Sequence, residues 1–165
     1  MGAGKSTVGR ALGGLAGWPV LDTDRLVEQR CGRTVSELFG DLGEEVFRQL
    51  EAEAIAELAA GERPAVVSVG GGAVLAEANR NLMRSSGTVV WLRATPEVLV
   101  RRLRGGDGRP LLAGAGGREE AEQRVASLVA EREPIYRQAA DMVLDVGYGS
   151  ALEVARSVLA MLRGG

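Results

Sequence analysis

Hydrophobic residues alternate between helical and extended spacing along the whole chain. Apolar residues three and four positions apart predict amphipathic helices, and short β-branched runs between them predict strands. The helices are predicted at residues 6–15, 24–30, 34–39, 43–60, 76–85, 96–104, 119–139 and 150–163, and the strands at residues 20–21, 65–69, 88–92 and 142–146. This alternation is typical of a parallel sheet with helices on both faces. No repeat or linker interrupts it, which predicts one domain.

The predicted helix at residues 43–60 has the clearest apolar stripe. Its core-facing positions are predicted to be Val46, Phe47, Leu50, Ala54, Ile55 and Leu58. Two further predictions concern other helices. Asp24 can cap the helix that follows the first strand, and Pro134 should kink the helix at residues 119–139.

The composition of the 165-residue chain, 45% hydrophobic and 25% charged, is ordinary for a soluble globular domain. A net charge of −2 argues against a general binder of nucleic acids or membrane surfaces, which needs a basic face. Cys31 is the only cysteine, so no internal disulfide can form, and we expect it to be structural in a reducing cytosol. We expect a cytoplasmic monomer that binds a small molecule and contacts neither nucleic acid nor membrane.

Two features of the composition narrow the chemistry. The chain has no histidine, so a general base must be a carboxylate. Of its 20 basic residues, Lys5 is the one lysine and the others are arginines. Lys5 is therefore predicted to serve where a compact ammonium group is needed and the planar guanidinium of arginine would not substitute.

Residues 2–7 read Gly-Ala-Gly-Lys-Ser-Thr and match the second half of the phosphate-binding pattern G-x-x-x-x-G-K-[ST]. Backbone N–H groups there would cradle phosphate oxygens at a helix N-terminus, Lys5 would reach the β- and γ-phosphates, and Ser6 would bind Mg²⁺. The pattern predicts a nucleoside triphosphate but not the reaction. The same residues match the myristoylation pattern M-G-x-x-x-[ST], an alternative without the polybasic patch that a second anchor would supply.

Polar or glycine-rich segments follow the first two predicted strands. Asp22 and Asp24 end the first strand, and three glycines at residues 70–72 follow the second. Because the carboxyl ends of parallel strands meet at one sheet edge, where ligands bind, both segments should lie beside Lys5. One aspartate would hold Mg²⁺ through water and the other would accept a hydroxyl proton. The alternative is that Asp24 is only a helix cap and Asp22 a solvated turn residue.

Three arginines are candidates for contacts with an anionic ligand. Arg48 lies on a predicted helix with Glu51 one turn later, and Arg132 lies on the helix predicted at residues 119–139. Arg109 lies in a glycine-rich segment at residues 105–117, whose apolar residues would need a partner on closure, so this segment is predicted to be a lid. For each arginine the alternative is a surface residue paired with a nearby glutamate.

Six segments, taken in order, resemble the shikimate kinases. They are GAGKST (2–7), LDTD (21–24), EEVFRQLE (44–51), GGG (70–72), RPLL (109–112) and EREPIY (131–136). Several are weak signals alone. Their order and their spread over nearly the whole chain make the resemblance specific.

The resemblance implies a three-layer α/β P-loop kinase fold with a parallel sheet in the strand order 2-3-1-4-5. It implies transfer of the γ-phosphoryl group of ATP to the 3-hydroxyl of shikimate, on the chorismate route to aromatic amino acids, with Mg²⁺ as the metal. It also implies one domain over residues 1–165, with a substrate-binding segment at about 24–60 and a mobile lid at about 105–117.

The same resemblance divides residue roles between nucleotide and substrate. The nucleotide would be bound by Gly2, Ala3, Gly4, Lys5, Ser6, Thr7, Arg102 and Arg109; Mg²⁺ by Ser6 and Asp22; and shikimate by Asp24, Arg48, Gly70, Gly71, Gly72 and Arg132. Lys5, Asp24 and Arg109 would be the catalytic residues. Asp24 would orient the shikimate hydroxyls, Arg48 and Arg132 would bind its carboxylate, and Arg102 would pack on the adenine.

Two departures from the family pattern have consequences. Met1 falls on a position internal to the family's phosphate loop, so we expect that the natural start lies earlier and that the first strand and the loop's first glycine are omitted from this sequence. We expect a chain that starts at Met1 to be a poorly stable, nearly inactive kinase, either with an empty central slot in a four-stranded sheet or with a distorted loop around Lys5. Residues 147–150 lack the Arg and Pro that often frame the adenine.

Two other functions stay open. A gluconate-kinase-like enzyme would share the phosphate loop and the fold, but it would not be expected to combine LDTD, FR, GGG and RPLL. A non-catalytic module would bind substrate or a partner without transferring phosphate. The truncated start favours such a module, and the intact Lys5, Asp24, Arg48, Arg109 and Arg132 oppose it.

Overall fold

The structure, a computed structural model, describes residues 2–104, 117–147 and 149–164. Within these ranges it contains seven α-helices, four β-strands and a 3₁₀ turn at Ala73–Leu75. The helices are α1 (Lys5–Ala16), α2 (Thr23–Cys31), α3 (Val35–Ala59), α4 (Glu77–Ser86), α5 (Pro96–Arg104), α6 (Arg118–Ala139) and α7 (Ala151–Gly164), and the strands are β1 (Val20–Asp22), β2 (Val66–Ser68), β3 (Val90–Arg93) and β4 (Met142–Asp145). None of the helices in these ranges is long and apolar enough to cross a membrane.

The four described strands are parallel within two separate pairs. The Cα partners run from Val20↔Val66 to Asp22↔Ser68 between β1 and β2, and from Val90↔Met142 to Arg93↔Asp145 between β3 and β4. Among the described residues no ladder joins β2 to β3. The expected order 2-3-1-4-5 counts a strand before β1, so β1 and β2 take its places 2 and 3, and β3 and β4 take its places 4 and 5. Both pairs are neighbours in that order, and the parallel α/β architecture is confirmed. The four strands, expected as one sheet with an empty central slot, are observed as two sheets of two strands.

Two hydrophobic clusters form the core of the described chain. The larger cluster includes Val8 and Leu12 of α1 and Val154 and Val158 of α7, together with residues of α5, α6 and β4. The smaller cluster lies between α2 and α3. It contains Val27, Leu38, Phe47 and Ala54.

The apolar stripe predicted on α3 is only partly correct. Phe47, Ala54 and Ile55 are buried, whereas Val46 is 41% exposed. The buried face is centred on Phe47, Ala54 and the charged Glu51, so Val46 lies at its margin. A hydrophobicity pattern could not place a glutamate at the centre of a buried face.

The cap of α2 is Asp22 and not, as predicted, Asp24. Asp22 Oδ1 accepts hydrogen bonds from the backbone N–H groups of Asp24 at 3.1 Å and Arg25 at 3.4 Å. These donors lie in the first helical turn, where no carbonyl of the helix can reach them. Asp24 is therefore a first-turn residue whose carboxylate has no capping role.

Helix α3 covers both of the helices predicted at residues 34–39 and 43–60, with a break between them at Gly43. Thr34 and Glu37 form a reciprocal capping box at its start. At Gly43 the backbone takes φ 85° and ψ 166°, which only glycine adopts at low cost. The break turns the second part of α3, which carries Arg48 and Glu51, away from the direction of the first.

Candidate active site

The N-terminus of α1 forms the phosphate-binding loop predicted at residues 2–7. Gly4 caps the helix with φ 87°, and Lys5 is the first helical residue. A helix N-terminus presents unpaired N–H groups and the positive end of the helix dipole, so it favours phosphate. The loop opens on a cleft of about 520 Å³. The cleft is lined by Gly2, Ala3, Gly4, Lys5, Ser6, Thr7, Val8, Arg102, Val146, Gly149, Ala151 and Val154.

Arg102 of α5 holds the phosphate-binding loop in place. One of its terminal nitrogens donates to the carbonyls of Gly2 at 3.4 Å and Ala3 at 3.0 Å, and the other donates to the carbonyl of Val146 at 3.1 Å. These bonds tie the loop to the end of β4. The role of Arg102 in packing on the adenine stays a prediction, and the sequence did not indicate these bonds to backbone carbonyls.

Ser6 and Asp22 meet at the carboxyl end of β1. Ser6 Oγ donates to Asp22 Oδ2 at 3.3 Å, while Asp22 Oδ1 is held by the first turn of α2. Both oxygens are hard ligands of the kind that Mg²⁺ prefers. The described residues contain no group of three or more acidic, histidine or cysteine side chains placed to hold a metal. A magnesium ion here would therefore take its remaining ligands from phosphate oxygens and water, as Mg²⁺ commonly does.

Asp24 lies between the phosphate-binding loop and the glycine turn, residues 70–72. Its pKa is raised above the ordinary value, first by burial and then by the negative charge of Asp22, while the charge of Lys5 acts in the opposite direction. A Cβ atom added to Gly70 would lie 2.9 Å from Asp24 Oδ1. The carboxylate therefore faces the glycine turn at a distance that a side chain on Gly70 would obstruct.

Thr23 connects β1 to the glycine turn and was not predicted as a site residue. It is fully buried, and its Oγ1 accepts a hydrogen bond from the backbone N–H of Gly70 at 3.1 Å. This bond spans 47 positions of sequence. The position of Thr23 between two aspartates was the only local signal, and it did not reveal the partner.

Arg48 of α3 lies on the other side of the glycine turn. It donates to Glu51 Oε2 at 2.7 Å and to Glu44 Oε1 at 3.0 Å, and its guanidinium carbon lies 5.6 Å and 5.5 Å from the ring centres of Phe39 and Phe47. Two carboxylates and two aromatic rings thus fix the guanidinium. A Cβ atom on Gly72 would collide with it.

Glu51 is the most buried charged side chain of the described site, with 1% exposure. Its Oε2 accepts from Arg48, but its Oε1 has no hydrogen-bond partner among the described residues and faces Gly70. Burial raises the pKa of Glu51, and the bond from Arg48 opposes that rise. The sequence placed Glu51 beside Arg48 but did not show that it is buried.

Arg132 and Tyr136 of α6 complete the site around the glycine turn. Tyr136 Oη donates to the carbonyl of Gly71 at 2.5 Å, and the Tyr136 ring stacks on Trp91 of β3 at 5.5 Å between ring centres. Arg132 is half-buried. Burial raises the pKa of Tyr136, and the positive charges of Arg132 and Arg48, which lie on two different helices, oppose that rise.

The predicted site residues of the described chain fall into two adjoining groups. Residues 2–7 and Arg102 line the cleft, and Asp24, Arg48 and Arg132 surround the glycine turn. The bond between Ser6 and Asp22 joins the groups. Arg109 and the predicted lid, apart from residue 117, lie outside the described residues.

Comparisons with known proteins point to one family. The family model "Shikimate kinase" matches residues 1–163. A shikimate kinase of Moorella thermoacetica is 44% identical over 163 residues, which cover 99% of this chain and 90% of that protein. A shikimate kinase of Symbiobacterium thermophilum is 44% identical over 165 residues, covering 99% of this chain and 92% of that protein.

Solved structures give the same result. A shikimate kinase from Acinetobacter baumannii in complex with shikimate superimposes with a TM-score of 0.90 at 34% identity, covering 99% of this chain and 89% of that one. A shikimate kinase from Bacteroides thetaiotaomicron superimposes with a TM-score of 0.85 at 32% identity, covering 100% of this chain and 94% of that one.

Proposed function

The chain belongs to the shikimate kinase family, and from that premise we propose which of its residues carry out the reaction. Members of this family are ATP-dependent kinases. We propose that this chain transfers the γ-phosphoryl group of ATP to the 3-hydroxyl of shikimate. The observation that carries the proposal is the place of Asp24 between a phosphate-binding loop and a glycine turn whose other neighbours include the two arginines.

The nucleotide would occupy the cleft at the N-terminus of α1. Backbone N–H groups of residues 2–7 would bind its phosphates, and Lys5 would place a point charge beside the β- and γ-phosphates. Arg102 keeps the loop backbone in position through its three carbonyl contacts, and its place in the cleft also allows contact with the base. Ser6 and Asp22 would hold Mg²⁺, which when bound neutralises phosphate charge.

Shikimate would lie against the glycine turn. Its carboxylate would be bound by the guanidinium groups of Arg48 and Arg132, because a planar fork matches a carboxylate with two parallel hydrogen bonds. Arg48 is already paired with two glutamates, whereas no ion pair joins Arg132 to a carboxylate of the described residues. Glycine at residues 70 and 72 leaves room for the carboxylates of Asp24 and Glu51 and for the Arg48 guanidinium close to the backbone, beside which the ring would lie.

Asp24 would accept the hydrogen of the reacting hydroxyl. The raised pKa of Asp24 makes it a stronger proton acceptor than an ordinary aspartate. Phosphoryl transfer has a loose transition state, so orientation of the hydroxyl matters more than full proton removal. Arg109 is proposed to contact the transferring group when the lid at residues 105–117 closes. We also propose a cytoplasmic monomer, for which the ordinary charge and the single cysteine give compositional support.

The proposal is tested by ADP release coupled to a spectroscopic readout, with ATP, Mg²⁺ and shikimate. We expect ADP release that depends on shikimate. Gluconate is the acceptor for the second candidate enzyme, and release without any acceptor measures background hydrolysis. ADP release that depends on gluconate and not on shikimate would contradict the choice of substrate. Binding of shikimate without ADP release would support the non-catalytic alternative.

A further inference from the structure

The side chain of Tyr136 joins three elements at the glycine turn. Its hydroxyl donates to the Gly71 carbonyl at 2.5 Å, and its ring stacks on Trp91 with an angle of 14° between the planes. The stacking fixes the plane of the ring, and with it the direction in which the hydroxyl points to the Gly71 carbonyl. The contact spans 65 positions of sequence, so it ties α6 to the turn after β2.

The glycine turn is thus held at two successive residues. Thr23 accepts from the N–H of Gly70, and Tyr136 donates to the carbonyl of Gly71. Glycines have the widest choice of backbone conformations, so a turn made of three of them needs such tethers to keep one shape. Thr23 belongs to the first turn of α2 and Tyr136 to α6, and the turn is therefore clamped from two sides.

The surroundings of the Tyr136 hydroxyl keep it a donor. Burial raises its pKa above the ordinary value, while the nearby charges of Arg132 and Arg48 oppose that rise and the charge of Glu51 reinforces it. The hydroxyl therefore stays protonated at neutral pH. Arg132 lies one helical turn earlier on α6, at the spacing that places two side chains on the same face of a helix.

From this geometry we infer that Tyr136 is a positioning residue for the substrate carboxylate. It sets the distance between Arg132 and the glycine turn, the two groups that are proposed to contact the substrate. The inference rests on the proposed function, since it assigns Arg132 to the shikimate carboxylate. Tyr136 itself touches no reacting atom, and its effect is exerted through Arg132 and Gly71.

The test is Tyr136→Phe, which keeps the ring on Trp91 and removes only the hydroxyl. We expect the KM for shikimate to rise about 5- to 50-fold, because the Gly71 carbonyl loses its hydrogen-bond donor and α6, which carries Arg132, loses its tie to the glycine turn. The kcat and the KM for ATP should change less than about threefold, since the phosphate-binding loop is untouched. The matched control is Arg137→Ala on the same helix. Arg137 is exposed and paired with Glu133, so all three constants should stay at wild-type values.

A double-mutant cycle with Arg132→Ala separates positioning from general packing. If Tyr136 acts through Arg132, Tyr136→Phe should raise the KM for shikimate much less in the Arg132→Ala background than in the wild type. Full additivity would overturn the inference. So would an unchanged KM for shikimate, or an equal loss of kcat and both substrate affinities together with a lower melting temperature. Absence of shikimate-dependent ADP release in the wild type would instead overturn the proposed function itself, and the inference with it.

Discussion

The Asp24 carboxylate lies where ionisation is unfavourable, although the proposed reaction needs it ionised. Burial and the charge of Asp22 raise its pKa above the ordinary value of an aspartate, and Lys5 opposes them only in part. A carboxyl group with a higher pKa in the folded than in the unfolded chain weakens the fold once the pH rises above the unfolded value, because the folded chain must then hold a disfavoured charge. Stability and reactivity therefore make opposite demands on this residue.

Asp24→Asn should accordingly be more stable and less active than the wild type. We expect shikimate-dependent ADP release to fall about 10²- to 10⁴-fold, the range for loss of a positioned proton acceptor. The melting temperature should rise, more at pH 8 than at pH 5, since the wild-type cost disappears as Asp24 is protonated. The control is Asp41→Asn, because Asp41 is 61% exposed in a surface ion pair with Arg33. A lower melting temperature for Asp24→Asn at pH 8 would show that its charge stabilises the fold.

Arg132 should affect substrate binding and leave stability nearly unchanged. Arg132→Lys keeps the charge but loses the bidentate fork, so the KM for shikimate should rise while the KM for ATP changes little. Arg132→Ala should cost more, up to about 3 kcal/mol of binding free energy in a desolvated site. Steady-state kinetics with each substrate varied in turn measures the KM for shikimate and the KM for ATP of both variants. Normal shikimate binding by the two variants would make Arg132 a surface residue.

Arg48 should differ from Arg132 because its partner Glu51 is buried. Arg48→Ala leaves the Glu51 carboxylate without its hydrogen-bond donor at 2.7 Å, and we expect a loss of roughly 2–4 kcal/mol in the free energy of unfolding. The loss should shrink at lower pH, where protonation removes the buried charge of Glu51. Urea unfolding measures it. Adding Glu51→Gln should recover part of the stability without restoring shikimate binding, and no recovery would contradict the buried-charge explanation.

At the scale of elements, the break within α3 depends on one backbone conformation. Gly43→Ala should destabilise the protein by about 1–2 kcal/mol, since φ 85° is unfavourable for any residue with a Cβ atom. Gly40→Ala is a matched control in the same helix, because a Cβ atom at either position meets nothing within 4 Å and Gly40 has no positive φ. It should be neutral or stabilising by up to about 1 kcal/mol. Equal effects in thermal or urea unfolding would remove φ as the cause.

Local patterns were sufficient to locate the elements but not their ends. The helical periodicity of α1 and the β-branched run of β2 are properties of neighbouring residues, and both elements were predicted. The cap of α2 was assigned to Asp24 instead of Asp22 because both are good capping residues two positions apart. Only the backbone path after β1 decides which carboxylate meets the first-turn N–H groups.

At the scale of the whole molecule, the site residues that could not be predicted from the sequence are those whose contact partners lie far away along the chain. The motif residues Lys5, Asp24 and Arg48 could be predicted because they are read from short segments and their chemistry is distinctive. Thr23 and Tyr136 could not, since their roles come from contacts with the glycine turn 47 and 65 positions away.

The proposed substrate would connect the two hydrophobic clusters. Arg48 lies on α3, which contributes to the smaller cluster, and Arg132 lies on α6, which contributes to the larger one. The strand pairs do not connect them, because among the described residues no ladder joins β2 to β3. A carboxylate held by both arginines would therefore make opening of α2 and α3 more costly than it is in the free protein.

Hydrogen exchange with and without ligands tests whether the bound substrate connects the two hydrophobic clusters. Saturating shikimate should slow exchange in α2 and α3, by up to about 100-fold at a concentration 100 times Kd, where the stabilisation is about 2.7 kcal/mol. ADP with Mg²⁺ should instead slow exchange mainly in the first turn of α1, where the phosphates would bind. The control is Arg132→Ala, which should lose the shikimate effect on α2 and α3 but keep the effect of ADP on α1. If shikimate slowed exchange equally in α7, which carries none of the proposed substrate contacts, the ligand would be stabilising the whole fold and not joining its two clusters.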